Sequence, residues 1–206
     1  NGDFGAAEQA IDSLKKFYQA ELIYADHLIS TFVDELRTSN VLDDSILIIT
    51  SDHGELLGEH NQLNHGGTVW EEIFRLPFLI RFPEKFTGGA VYNGMTSALD
   101  IMPTLLDIIG LDELRQTSVL DGKSILELSQ QYEERTLVVD APPIVLPERL
   151  KAYPNVLARG SHISRAVRNS KYKYIWQSNG YRYLYPVGEV ESDGNNRLTD
   201  KPEIVK

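Results

Sequence analysis

Residues 45–67 read SILIITSDHGELLGEHNQLNHGG, a short apolar run followed at once by a loop rich in histidine and glycine. A continuous apolar run that contains three isoleucines is typical of a strand buried on both faces. The loop holds three of the five histidines of the chain. In an open α/β sheet, ligands collect beyond the carboxyl ends of the strands. The stretch therefore predicts a buried strand, Ser45–Thr50, that ends in a functional loop.

The sequence around this stretch alternates between helical and strand-like patterns. Apolar residues recur at spacings of three and four from about Ala6 to Thr38, which predicts a long amphipathic helix. Pro77–Phe82 predicts a second buried strand, neighbouring the first and largely parallel to it. Residues 97–110 predict a helix that Asp100 caps. This order predicts an α/β fold, a mostly parallel sheet with flanking helices.

The last fifty or so residues change character. Three short runs separated by Asn-Ser and Ser-Asn-Gly turns predict an antiparallel meander, Ser161–Arg168, Lys171–Trp176 and Tyr181–Tyr185. The aromatic side chains of the second and third runs each share one face of their strand, which favours cross-strand packing over a platform for stacking sugars. We therefore predict two domains, an α/β domain over residues 1–155 and a small antiparallel-sheet subdomain over 156–206.

Composition limits the classes of function. The chain has 206 residues with 20 basic and 30 acidic side chains, so its net charge of -10 disfavours nucleic acid and anionic membranes as partners. It has no cysteine, which excludes disulfides, thiolate metal sites and a thiol nucleophile. No stretch approaches the length of a membrane span, and the compartment stays open. The chain does not begin with Met, and we expect it to be a piece of a longer protein.

Asp52 and His53 follow the predicted strand Ser45–Thr50 directly. A carboxylate and a neutral imidazole side by side can both reach one divalent cation, and Gly54 lets the backbone bend enough to aim them. The alternative is that Asp52 caps a following helical turn while His53 is solvated. These residues alone leave both interpretations open.

His60 and His65 require separate interpretations. A zinc site made of all three loop histidines is weakly indicated, because the His-Glu-x-x-His pattern of a helical zinc site is absent and the loop is rich in helix breakers. His65 precedes two glycines, which suits a closely approached loop where an imidazole donates a proton or contacts an oxyanion. His60 is equally well explained as a structural hydrogen-bonding residue.

Several segments together resemble the carboxyl-terminal half of a sulfatase, in the alkaline-phosphatase superfamily. They are SILIITSDHGELLGEH, HGGTVWEEIFRLPFLIRFP, TSALDIMPTLLDIIGL, LDGKSILEL, SKYKYIW and YLYPVGEVESDGNNRL, in the expected order over nearly the whole chain. The resemblance implies that Asp52 and His53 supply half of a divalent-metal site, usually calcium. It also implies that His65 is the catalytic residue that contacts the sulfate ester near its leaving oxygen.

Two parts of the sulfatase pattern are missing from the sequence. Sulfatases have a paired-aspartate metal motif near their amino terminus and a formylglycine nucleophile made from a Cys/Ser-x-Pro-x-Arg motif, and this chain matches neither of these two parts. We therefore expect a fragment of a sulfuric ester hydrolase that acts on a sulfate-ester small molecule or glycan and is inactive by itself. We also expect self-association through an exposed, truncated sheet. The alternatives are a phospho- or phosphonate-ester hydrolase or phosphoglycerol transferase of the same superfamily, or a non-catalytic glycan-binding module.

Overall fold

The computed structural model describes residues 2–130, 134–143 and 162–201. Its contacts divide the chain into two compact units, one comprising Asn1–His65 with Glu71–Gly88 and the other Gly66–Trp70 with Gly89–Lys206. The boundary predicted between residues 155 and 156 lies outside the described residues.

The long helix predicted from about Ala6 is present as α1, Gly2–Thr38. It ends in a Schellman motif, with Asn40 left-handed at φ 56° and the Val41 N–H donating to the Leu36 carbonyl at 3.0 Å. Its apolar side chains are largely exposed to solvent. These are Leu14, Phe17, Tyr18, Leu22, Ile23, Tyr24, Leu28, Ile29 and Phe32.

The periodicity of α1 thus identifies a face that can be buried, but not what covers it. Self-association of the chain stays a prediction. Among the helices of the described ranges, none combines the length and the apolarity that a membrane crossing requires.

Two strands of the first unit pair as neighbours, β1 (Leu47–Thr50) and β4 (Phe78–Arg81). The pair is antiparallel, so the predicted parallel arrangement of these two strands is wrong. The connection between them holds the hairpin of β2 (Leu56–Leu57) with β3 (Leu63–Asn64) and the four-residue helix α2 (Glu71–Phe74). A parallel pair would require a crossover that returns the chain to the opposite end of the sheet, usually through a long helix.

Burial of β1 is also smaller than the apolar run predicts. Three of its residues are half-buried and Thr50 is exposed, whereas a strand covered on both faces would be buried throughout. Within the described part of the chain, β4 is the one strand that pairs with β1.

The second unit contains the antiparallel sheet β5-β6-β7-β8. Its strands are Leu137–Ala141, Ser164–Arg168, Tyr172–Gln177 and Arg182–Pro186. The predicted meander is therefore confirmed. Strand β5, which we had assigned to the first domain, joins this sheet through five pairs with β6, from Leu137↔Arg168 to Ala141↔Ser164.

The outer edge of β8 is closed by the chain that follows it. Asn196 Oδ1 accepts the outward N–H of Leu184 at 3.0 Å, and the Arg197 N–H donates to the Leu184 carbonyl at 2.8 Å. The same Asn196 oxygen accepts the Leu198 N–H at 3.1 Å. One amide side chain thus joins the edge strand to the tail.

Three helices of this unit are short, α3 (Ile101–Ile108), α4 (Asp112–Thr117) and α5 (Ile125–Gln130). A 3₁₀ turn, Ala98–Asp100, precedes α3, and Ser97 is its N-cap. Asp100 is the N-cap residue of α3 by position, as predicted, but its side chain makes no cap hydrogen bond to α3. Its carboxylate instead accepts the Ser97 N–H and completes a capping box with Ser97.

The Asp100 carboxylate is instead the centre of a buried network. It accepts the backbone N–H groups of Ser97 and Lys123, each at 2.8 Å, and two N–H groups of Arg135 at 2.6 and 2.9 Å. The side chains of Asp100 and Arg135 are 0% and 8% exposed. Two chain segments and a cation thus converge on one carboxylate.

Candidate functional site

The loop after β1 is held by a close backbone approach at Gly54. Its N–H donates to the Ile73 carbonyl at 2.8 Å, and a Cβ atom at this position would lie 1.9 Å from the Glu72 carbonyl oxygen. Only glycine therefore fits here, and the reason is close packing against the α2 segment rather than a left-handed conformation. The glycine fixes where Asp52 and His53 leave the strand.

Asp52 and His53 present two free ligand atoms on one side of the loop. Asp52 Oδ1 accepts the His53 N–H at 2.9 Å, and Asp52 Oδ2 lies 3.7 Å from His53 Nε2. His53 Nδ1 lies 2.9 Å from the Gly54 carbonyl, which fixes the proton on Nδ1 and leaves the Nε2 lone pair available. The residues after His53 lead into strand β2 rather than a helix, so the alternative role of Asp52 as a helix cap is not observed.

The electrostatics of Asp52 suit a cation ligand. The backbone N–H of His53, followed by further backbone and imidazole interactions, lowers the pKa of Asp52, so the carboxylate is ionised at neutral pH. Its side chain is 87% exposed and therefore open to a cation from solvent. A carboxylate oxygen and an imidazole nitrogen at this separation fit one divalent ion.

His65 lies directly beside His53. The two imidazole rings stack with centroids 3.9 Å apart and planes inclined by 29°. His65 Nδ1 lies 3.0 Å from Glu55 Oε2, and the His65 N–H donates to Asn64 Oδ1 at 2.8 Å. The structure thus brings His53 and His65 together.

Glu55 is the member of this group that the sequence did not indicate. The β2–β3 hairpin pairs Leu56 with Asn64, and continuing that register by one residue puts Glu55 opposite His65. Each strand of this hairpin has only two residues, too few to give a strand pattern in the sequence. Without that register, an acidic loop residue is more simply interpreted as solvated.

His60 belongs to a different part of the loop. Its Nε2 lies 3.1 Å from Glu72 Oε2, and its side chain is largely buried. Within the described ranges, the potential metal-binding group that contains His53 and His65 is completed by Glu55 and not by His60. The structure therefore does not form the three-histidine group, and His60 is a hydrogen-bonding residue.

The aromatic side chains of β8 form a ladder. Tyr181, Tyr183 and Tyr185 stack in sequence with centroids 6.3 and 5.8 Å apart, and Trp70 contacts Tyr183 edge-on at 5.6 Å. Tyr185 is fully buried and burial raises its pKa well above the usual range. The inner part of the ladder packs along its own strand and against Trp70 rather than across strands, since β7 places Ile175 and Lys173 opposite Tyr183 and Tyr185. Tyr181 is its exposed end.

Solved structures share this fold. BT4656, solved in complex with its substrate D-glucosamine-2-N,6-O-disulfate, superposes with a TM-score of 0.68 at 20% identity, covering 89% of this chain and 36% of that chain. The phosphonate monoester hydrolase SpPMH from Silicibacter pomeroyi has a TM-score of 0.62 at 21% identity, covering 87% and 36%. At such identities the likeness establishes the fold, which is that of the alkaline-phosphatase-like sulfatases.

Sequence comparison identifies the family. The Sulfatase profile matches residues 4–111, and a profile for N-sulphoglucosamine sulphohydrolase, C-terminal, matches residues 58–182. Arylsulfatase K of Canis lupus familiaris is 31% identical over 96% of this chain and 36% of its own length. Choline-sulfatase of Rhizobium meliloti is 28% identical over 84% and 31%. The chain belongs to the sulfatase family and spans about a third of the length of these curated relatives.

Proposed function

We propose that the chain supplies the metal-binding and leaving-group side of the active site of a sulfuric ester hydrolase. Asp52 and His53 hold part of the divalent-metal site, and His65 contacts the substrate. The observation that carries the proposal is the convergence of these side chains at the end of β1, where the His53 and His65 rings lie 3.9 Å apart. Relatives that are arylsulfatases and a choline-sulfatase support the sulfate ester as substrate.

Each residue has a definable task. When bound, a divalent cation neutralises charge on sulfuryl oxygens and activates a nucleophile. Asp52 brings a negative charge to that position, and His53 brings a nitrogen lone pair oriented by the Gly54 carbonyl. Calcium, the usual metal of sulfatases, would need further oxygen ligands beyond this pair.

His65 is suited to stabilise the departing alcohol. Its Nδ1 side is held by Glu55, so its Nε2 side is oriented toward solvent or substrate. In the imidazolium form Nδ1–H donates to Glu55, while Nε2–H is available to the oxygen that leaves sulfur. Glu55 is thus a positioning residue for His65.

The chain contains no Cys/Ser-x-Pro-x-Arg motif from which a formylglycine nucleophile could form. Removing a covalent nucleophile generally costs orders of magnitude in rate. The purified chain with saturating calcium and an activated aryl sulfate should therefore show no turnover above background. Enzyme-like turnover that Asp52→Ala abolishes would contradict this part of the proposal.

Ligand binding tests the site directly. Titration with an aryl sulfate, followed by NMR of histidine-labelled chain, should shift the imidazole signals of His65 and His53. Replacing His65 by Gln should remove the response, while His27→Gln, a change on exposed helix α1, should preserve it. An unchanged response in His65→Gln would overturn the assignment.

Two alternatives have distinct outcomes in the same experiment. A phosphonate ester that shifts the His65 signals at lower concentration than the aryl sulfate would favour a phosphonate hydrolase, the activity named for a solved structure of the same fold. Glycan binding that survives replacement of both Asp52 and His53 would favour a binding module built on the Tyr181 end of the ladder.

A further inference from the structure

We propose that His53, Glu55 and His65 form a binding site for a transition-metal dication, with Zn²⁺ as the representative ion. This site differs in its ligands from the Asp52–His53 pair, shares only His53 with it, and goes beyond the proposed hydrolytic function. It is an independent property of the loop.

The geometry brings three ligand atoms to one point. One nitrogen of each histidine and one carboxylate oxygen of Glu55 all lie within 4.8 Å of one another. His65 Nδ1 and Glu55 Oε2 are 3.0 Å apart, a separation that two ligands of one Zn²⁺ ion can have. The side chain of His65 is 44% exposed, so a cation can enter from solvent.

The donor set selects the kind of metal. Two histidines and one glutamate are the protein ligands of several zinc enzymes, in which water takes the fourth position. Calcium instead takes six to eight oxygen ligands, of which this group supplies one carboxylate. Imidazole nitrogens therefore make the group selective for zinc-like ions over calcium.

Binding requires a defined exchange at His65. The metal replaces the proton that His65 Nδ1 shares with Glu55 Oε2: a neutral imidazole keeps its one proton on Nε2, and an imidazolium releases one proton to solvent. The Nδ1 lone pair and the carboxylate oxygen then each form a bond to the metal. Because protonated His65 has to release a proton first, affinity falls as pH is lowered. Sharing His53 also makes the two cations competitors for this residue.

Cobalt and zinc titrations of the purified chain test the proposal. Co²⁺ should give visible absorption typical of a site with nitrogen ligands, and Zn²⁺ should displace it. Glu55→Gln and His65→Gln should each weaken Zn²⁺ binding at least tenfold, while the control His27→Gln leaves it within twofold. Wild-type affinity in Glu55→Gln would overturn the proposal.

A second measurement needs no substitution and so does not depend on the folding of variants. Zn²⁺ added to histidine-labelled wild-type chain should shift the ring signals of His53 and His65, while that of His27 stays in place. Shifts confined to other histidines would refute the site. Aryl sulfate binding is measured without Zn²⁺, so failure of this site and failure of the proposed function are distinguishable.

Discussion

In the Asp100→Asn variant, the second unit should unfold at a clearly lower denaturant concentration than in the wild type. The substitution keeps the shape of the side chain but turns one acceptor oxygen into an NH₂ donor. Asp100 Oδ1 accepts the Lys123 backbone N–H and one N–H of Arg135. Asp100 Oδ2 accepts the Ser97 backbone N–H and a second N–H of Arg135. Whichever way the new amide is oriented, its NH₂ group therefore faces two N–H donors from which it cannot accept a hydrogen bond.

The magnitude follows from the burial of both partners. Asp100 is 0% exposed and Arg135 is 8% exposed, so the substitution takes a buried negative charge away from a buried guanidinium. Breaking a buried pair in this way typically costs about 3–5 kcal/mol. With a urea dependence of about 1–3 kcal/mol per molar, the midpoint should fall by roughly 2 M.

The assay has a local reporter and a matched control. Both tryptophans, Trp70 and Trp176, lie in the unit that contains Asp100, so their fluorescence follows its unfolding in urea. Asp140→Asn removes the same kind of Asp–Arg pair at an exposed position, where Arg165 is the partner, and should leave the midpoint nearly unchanged. Equal midpoints for Asp100→Asn and wild type would refute the reasoning.

The same network predicts a response to acid. Burial would raise the pKa of Asp100, but hydrogen bonds from Arg135, Lys123 and Ser97 outweigh it and hold the pKa below the usual range. Because the folded-state pKa is depressed, the contribution is fully present above the unfolded-state pKa of about 3.9 and is lost as pH falls through the folded value. The stability difference between wild type and Asp100→Asn should therefore shrink below about pH 4, and a constant difference down to pH 2 would contradict this origin.

The remaining predictions concern two close contacts. Gly54→Ala should disrupt the loop after β1, because the new Cβ would lie 1.9 Å from the Glu72 carbonyl oxygen. Gly88→Ala is the control, since a Cβ there meets open space. Hydrogen exchange of the residue 54 amide should be faster in Gly54→Ala and unchanged in Gly88→Ala. Lys173→Met should cost about 3–5 kcal/mol by removing the buried ammonium group that lies 2.9 Å from the buried Glu191 carboxylate, and adding Glu191→Leu should recover much of it in tryptophan-monitored unfolding. A double variant no more stable than the single one would argue against the buried pair as the origin of the loss.

The positions of the main strands could be predicted from sequence, but their relative direction could not. Ser45–Thr50 and Pro77–Phe82 contain β1 and β4, because short apolar runs identify strands whatever their partners. Direction depends on the path of the connection. A Leu56–Leu57 strand is too short to produce a period-2 pattern, so the hairpin that fills the connection was missed.

The candidate site, too, could be predicted from the sequence only in part. The positions of Asp52 and His53 at the end of a strand, and of His65 before two glycines, were evident as local patterns. Glu55 was missed because its pairing with His65 depends on hairpin register. Likewise Arg135 lies far along the chain from Asp100, and nothing near either residue in sequence indicates that pair. The functional roles of Asp52, His53 and His65 stay predictions.

The side chain of Asn196 occupies part of the outer edge of the carboxyl-terminal sheet. Because it and Arg197 occupy the outward hydrogen-bonding groups of Leu184, β8 offers no vacant main-chain groups there to a strand from another molecule. A version of the protein shortened to end before Asn196 would expose them and could recruit peptides by strand addition. Boundaries for expression or fusion should therefore be chosen beyond Leu198, so that growth of the sheet into fibrils is not seeded at this edge.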